Sequence, residues 1–248
     1  MSTTTHNNTA NLLELKGVHT HIGAYHILHG VDLAVPRGQL TMLLGRNGAG
    51  KTTTLRTIMG LWQASRGSIH FKGRDITRMH TPQIAHLNIA YVPENMGIFA
   101  DLTVKENLLL AARKASNAAR MDQERLQWIF KLFPAVEKFW NHPAGKLSGG
   151  QKQMVAVARA IIEPRDLLIV DEPSKGLAPA IINNMIEAFD QLKKSGVTIL
   201  LVEQNINFAK RLGDTVAVMD NGRVVHAGSM AALAADEALQ QSLLGLSL

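Results

Sequence analysis

The order of apolar and polar positions divides the chain into three stretches of different character. From Leu12 to Leu44 the pattern is strand-like, with LLELKGV, VDLAV and QLTMLL separated by turns such as Pro36-Arg37-Gly38. Residues 51–61 read as a helix and Ser68–Lys72 as a further strand. From Val104 to Ile162 helical spacing dominates: Leu126, Ile129, Phe130 and Phe133 share one face, a core stripe that Pro134 stops. Apolar strands return at 167–170, 197–202 and 215–219, alternating with the helical stretch 180–195. Apolar strands alternating with helices predict a parallel sheet covered on both faces. The expected fold is α/β: a mostly parallel sheet with flanking helices, an antiparallel β part, and an inserted all-helical subdomain. Expected boundaries are a tail at 1–11, a core at 12–93 and 164–230, the helical subdomain at 94–163 and a C-terminal helical tail at 231–248.

Composition narrows the chemistry. The 248 residues, 46% of them hydrophobic, suffice for one large domain or two small ones. Absence of cysteine excludes disulfides, thiolate catalysis and Cys-based zinc sites. No apolar run approaches the roughly 18 residues of a membrane span. The opening MSTTTHNNTA has neither the basic start nor the apolar stretch of a secretory signal, so a soluble intracellular domain is expected. A net charge of +6 suits nucleic acid, an anionic membrane face or a phosphate-rich ligand. With 5% aromatics and no dense basic block, a nucleic-acid stacking platform is not expected. His19, His21, His26 and His29 crowd one stretch, but their spacing matches no established metal-ligand set.

Gly45-Arg46-Asn47-Gly48-Ala49-Gly50-Lys51-Thr52 fits G-x-x-x-x-G-K-[ST], with strand Leu40–Leu44 before it and helix Thr53–Leu61 after it. Glycines let backbone N–H groups turn inward around phosphate oxygens, and the following helix points its positive end at the anion. Lys51 then neutralises β/γ-phosphate charge and Thr52 offers a hydroxyl to Mg²⁺. Further on, Leu167-Leu168-Ile169-Val170-Asp171-Glu172 reads as a buried strand with two acids at its C-terminal end, where α/β sheets place ligands. Asp171 suits a Mg²⁺ role, and Glu172 suits orienting and deprotonating an attacking water. Leu147-Ser148-Gly149-Gly150-Gln151 opens a helix running to about Ile162, capped by Ser148, with paired glycines that let a phosphate approach its terminus.

Together GxxxxGKT, LSGGQ and LLIVDE resemble the ATP-binding-cassette ATPases, P-loop NTPases, over about residues 12–230. The resemblance implies ATP and Mg²⁺ as ligands. It implies two cassettes stacked head to tail, with Gly45–Thr53 and the acidic pair of one chain facing Ser148, Gly149, Gly150 and Gln151 of the other. It also implies a pair of membrane permeases docked on the helical insertion, and a cytoplasmic protein peripheral to the inner face of the cell membrane. Four positions depart from the family's commonest pattern. Glu94 follows Tyr91-Val92-Pro93 where Gln is usual, and as a carboxylate it suits Mg²⁺. Gln204 replaces the switch histidine; it donates a hydrogen bond but does not titrate. Ile22 stands where an aromatic stacks on adenine, with Tyr25 three residues on, and both remain candidates for the base. Lys175 takes a place often held by Leu.

Tyr-Val-Pro-Glu, Leu-Val-Glu-Gln-Asn and Gly176-Leu177-Ala178-Pro179 are similar to the branched-chain (hydrophobic) amino-acid uptake subfamily. That subfamily pairs its cassette with a different one and adds an external solute-binding protein. Its relatives import urea, amides and aromatic acids. A soluble, non-transport cassette ATPase is the reading from another class.

Overall fold

The computed structural model describes residues 11–112, 117 and 120–245. Most of the expected tail lies outside them, and Asn11 already belongs to the first strand, where it pairs with Pro36. Strands β1 (Asn11–Ile22) and β2 (Tyr25–Pro36) form a hairpin, and β3 (Leu40–Gly45) leads into helix α1 (Lys51–Ile58). The helix stops short of the expected Leu61 because the chain turns left-handed at Gly60. Strand β4 (Ala64–Phe71) starts four residues before the expected Ser68. Its first half is polar and mostly exposed, so only the ladder to β1, with Thr20 opposite Ala64 and His19 opposite Arg66, makes it a strand.

Then come β5 (Arg74–Asp75), α2 (Thr81–Ala85) and β6 (Ile89–Val92). Helices α3 (Val104–Leu109), α4 (Gln123–Leu132), α5 (Pro134–Lys138) and α6 (Gly149–Ala160) follow. Pro134 ends α4, as its sequence predicts, but it also opens α5, since its fixed φ suits a first helical position. The last third alternates: β7 (Leu167–Asp171), α7 (Pro179–Lys194), β8 (Thr198–Glu203), α8 (Ile206–Leu212) and β9 (Thr215–Asp220). Strand β10 (Arg223–Ser229) then precedes α9 (Met230–Ala235) and α10 (Glu237–Leu244).

Among the described residues the strands form two sheets. A four-stranded antiparallel sheet has the order β2-β1-β4-β5, and a six-stranded one the order β10-β9-β3-β8-β7-β6. In the larger sheet every pairing is parallel except β9 with β10. The apolar runs explain this. β3, β7 and β8 are buried at every position, as strands covered on both faces must be. Alternate residues then serve opposite layers. Leu40, Met42, Leu168, Val170, Ile199 and Leu201 face a core shared with Phe130, Phe133 and the helices after β6. Leu43, Leu167, Ile169, Leu200 and Val202 face a second core shared with α1 and the antiparallel sheet.

One turn ties both sheets to the loop before α1. Gly222, between β9 and β10, donates its N–H to Ala49 O at 3.0 Å and accepts from His29 N at 2.8 Å. Its φ is +73°, and a Cβ there would collide with Ile27 O, so only glycine fits the clamp.

Candidate active site

The loop 45–50 sits at the C-terminal end of β3, between the parallel strands β8 and β9. Helix α1 starts from Gly50, which has no side chain to cap it, and carries no acid in its first turn. Its dipole and leading amides are therefore left for an anion. Lys51 is buried beside them, donating from Nζ to Gly45 O at 2.8 Å and Arg46 O at 3.1 Å. Its ammonium lies 3.6 Å from Glu172 Oε1. An open cleft of about 380 Å³ runs along this loop and takes in Ile27, Thr52, Thr53, Glu94, Glu172 and Lys175.

The acids arrive from the end of β7. Asp171 is buried; Thr52 Oγ1 donates to its Oδ1 at 3.2 Å, and Tyr91 Oη stands 3.5 Å from its Oδ2. Burial pushes its carboxyl up to about 6, with the Thr52 hydrogen bond opposing and the charges of Glu172 and Glu94 adding to the rise. The Tyr91 phenol is pushed up to about 12, by burial first and then by Asp171. Glu172 leaves the strand with φ +47°, a left-handed conformation unusual for a non-glycine residue and a form of strain that gathers at functional sites. It thereby turns its carboxylate toward Lys51 and toward Gln204, whose Nε2 donates to Oε1 at 2.6 Å.

Glu203 braces this corner. At the end of β8 it accepts from the backbone N–H groups of Ser174 (2.9 Å), Gln204 (3.1 Å) and Asn205 (3.3 Å). Burial raises its pKa and those hydrogen bonds oppose the rise. One carboxylate thus pins the loops that carry Lys175 and Gln204. Lys175 donates to Glu94 Oε1 at 2.6 Å and lies 3.4 Å from Glu172 Oε2.

The LSGGQ segment does not line this cleft. Ser148 caps α6, accepting from Gln151 N at 3.4 Å, while Gln151 Oε1 accepts from Ser148 N at 2.9 Å. Within one chain Gln151 therefore serves its own helix start, a role legible in the S-x-x-Q spacing. Gly149 is exposed beside it.

Ile22 and Tyr25 face one another at the tip of the β1–β2 hairpin, Tyr25 75% exposed, and neither lines the cleft. Ile27, which the sequence did not single out, does. The four histidines cluster: His21 stacks on His26 at 4.2 Å between ring centroids, His29 tilts against His26 at 4.1 Å, and His19 Nδ1 lies 3.0 Å from His26 Nε2. Among the described residues no group of three or more His, Cys, Asp or Glu is arranged to hold a metal ion. Tyr91 and Glu203 also escape sequence reasoning; each stands in or beside a strand-end motif, and that position is the one signal that points to them.

The raised carboxyl of Asp171 gives a stability prediction. A folded-state pKa near 6 against an ordinary 3.8 means that the folded chain holds a proton the unfolded chain gives up, so stability falls as pH rises between these values. Asp171→Asn, uncharged throughout, is expected to stabilise the nucleotide-free chain at pH 7.5 by on the order of 2–3 kcal/mol. The gain should shrink as pH falls through about 6 and vanish near 4, as read by urea denaturation of both proteins in chelator.

The comparisons cover both halves of this site. Residues 28–175 match the family model described as ABC transporter. A curated relative, the high-affinity branched-chain amino acid transport ATP-binding protein BraG of Pseudomonas aeruginosa, is 39% identical over 94% of this chain and all of its own length. Among solved structures, an ATP-binding subunit of an ABC transporter is 31% identical, with a TM-score of 0.79 over 94% of this chain and 96% of that one. A bacterial ABC transporter cassette solved as a dimer is 25% identical, with a TM-score of 0.78 over 88% of this chain and 98% of that one. On the family match and the near full-length relative, this chain belongs to the ABC transporter family, as an ATP-binding cassette.

Proposed function

We propose that this chain is the ATP-hydrolysing subunit of an importer that takes up branched-chain or other hydrophobic amino acids, working as one of two cassettes beneath a pair of membrane permeases. The observation that carries the reading is the convergence of an uncapped helix start, α1, with Asp171, Glu172 and Gln204 at neighbouring strand ends. The 39% identity to a branched-chain amino acid cassette supports the cargo class. No helix among the described residues is long and apolar enough to cross a membrane.

The amides of 45–53 and Lys51 hold the β- and γ-phosphates. The residues suit a hard cation: the Thr52 hydroxyl, the buried Asp171 carboxylate and Glu94 are oxygen donors of the kind Mg²⁺ takes, and the bound ion supplies neutralisation of phosphate charge. Glu172 takes a proton from water as the water oxygen bonds to the γ-phosphorus and the bond to the bridging oxygen of ADP breaks. Gln204 fixes the Glu172 carboxylate for this and adds no charge of its own. Ser148, Gly149 and Gly150 close over the γ-phosphate held by the other cassette. The base rests against Ile27, the hairpin side chain that lines the cleft. Residues 94–163 act as the helical subdomain that meets the permeases, with 12–93 and 164–230 as the ATPase core.

Purification of the intact complex from detergent-solubilised membranes tests this. Co-purifying permease chains, a companion cassette, and ATP turnover raised by a loaded amino-acid-binding protein are expected. Recovery of soluble clients without permeases would overturn the transport reading; stimulation by urea, amides or aromatic acids alone would overturn the cargo.

A further inference from the structure

Of the charged side chains that line the cleft, Lys51, Glu94, Glu172 and Lys175, the proposed chemistry leaves Lys175 unused. Its ammonium bridges two acids from different parts of the chain: Glu94, 81 residues away in sequence, at 2.6 Å, and Glu172 at 3.4 Å. Asp171 feels the negative charge of both those acids. Lys51 cannot serve Glu94, because it is buried and held by two carbonyl oxygens. Lys175 can move: its side chain is 56% exposed and that of Glu94 44% exposed, on a flexible four-carbon stem. The glutamates raise the proton affinity of Lys175, Glu94 first, so it stays charged.

We propose that Lys175 is a positioning residue that neutralises Glu94 and Glu172 in the metal-free chain and has to release Glu94 before Mg²⁺ can be held by it. The inference rests on the reading that Glu94 serves Mg²⁺. A divalent cation and an ammonium repel, and both draw on the same Glu94 carboxylate. Lys175 therefore competes with the metal, yet it supplies positive charge to the phosphate cleft when metal is absent. These two effects have opposite signs.

Binding of a fluorescent ATP analogue to the full chain, in chelator and across a Mg²⁺ titration, separates them without reference to turnover. In Lys175→Met, metal-free affinity is expected to fall about five-fold and the half-saturating Mg²⁺ concentration to fall about five-fold, the scale of a half-exposed ion pair. Lys175→Arg should keep the parental values. In a Glu94→Ala background, Lys175→Met should no longer change the Mg²⁺ titration. Unchanged titrations for Lys175→Met, or a loss of both metal-free and Mg²⁺-dependent binding, would overturn the inference. Lys51→Ala keeps the two readings apart. If it abolishes binding while Lys175→Met does nothing, only the role of Lys175 falls. If Lys51→Ala binds like the parent, the phosphate-site reading falls and the inference with it.

Discussion

Glu172→Gln is expected to lower ATP turnover by about 10²–10⁴-fold while nucleotide binding tightens. The change removes a proton acceptor and almost no volume. The Gln204 amide, 2.6 Å from Oε1, can still donate to the new side-chain oxygen, so the geometry of the corner is kept. What changes is charge. Lys51 loses the carboxylate 3.6 Å from its ammonium and keeps its positive charge for the phosphates. Phosphate oxygens entering the cleft lose a like-charged neighbour, worth up to about 4 kcal/mol at 4 Å and an effective dielectric constant of 20 before screening. Affinity should therefore rise as turnover falls, a split that simple misfolding does not produce. Single-turnover hydrolysis alongside equilibrium binding reads both. Turnover at the parental rate would remove Glu172 from the role of base.

The parts of this site legible in the sequence are those written in contiguous residues. The run Leu167–Val170 before the acids is uniformly apolar and Leu40–Leu44 before the glycine loop is apolar but for Thr41, which marks buried parallel strands and puts the loop and the acids at one edge of the sheet. Lys51, Thr52 and Asp171 are brought together for that reason. Contacts made by long side chains across loops carry no such signature. Lys175 and Glu94 are each noticeable as unusual residues, but nothing in either neighbourhood says that they meet. Local irregularity hides other features. The register of β1 against β2 shifts between Leu15 and Val18 and again at Thr20 and His21, so simple alternation does not tell which hairpin side chains face the cleft. That is why Ile27, rather than Ile22 or Tyr25, lines it with no sign of this in the pattern. The early start of β4 is of the same kind: its ladder to β1 is a tertiary fact, and its polar residues give no period to read.

Gly149→Asp is expected to leave the chain at least as stable as the parent and still able to bind ATP in its own cleft, yet to abolish turnover of the ATP that its LSGGQ helix covers in the assembled pair. A Cβ at Gly149 would meet nothing within 4 Å, the position is exposed, and its φ is not left-handed. Helix α6 has no acid in its first turn, so an aspartate there complements the dipole by about 0.3–1 kcal/mol and removes the entropic cost of glycine at a helical position. Ser148 and Gln151 already cap one another, and the new side chain need not disturb them. Nor does Gly149 line its own chain's phosphate cleft, so binding there should be unmoved. The penalty appears only across the pair, where the aspartate would meet the triphosphate held by the other chain, like charge against like charge in a closed interface. Thermal melting of the isolated chain, its ATP affinity, and ATP turnover of the complex with its companion cassette measure the three effects separately. A variant that melts and binds like the parent but loses turnover once paired places the LSGGQ helix against the partner's nucleotide. A variant as active as the parent would mean that the two glycine-rich helix starts never share an ATP.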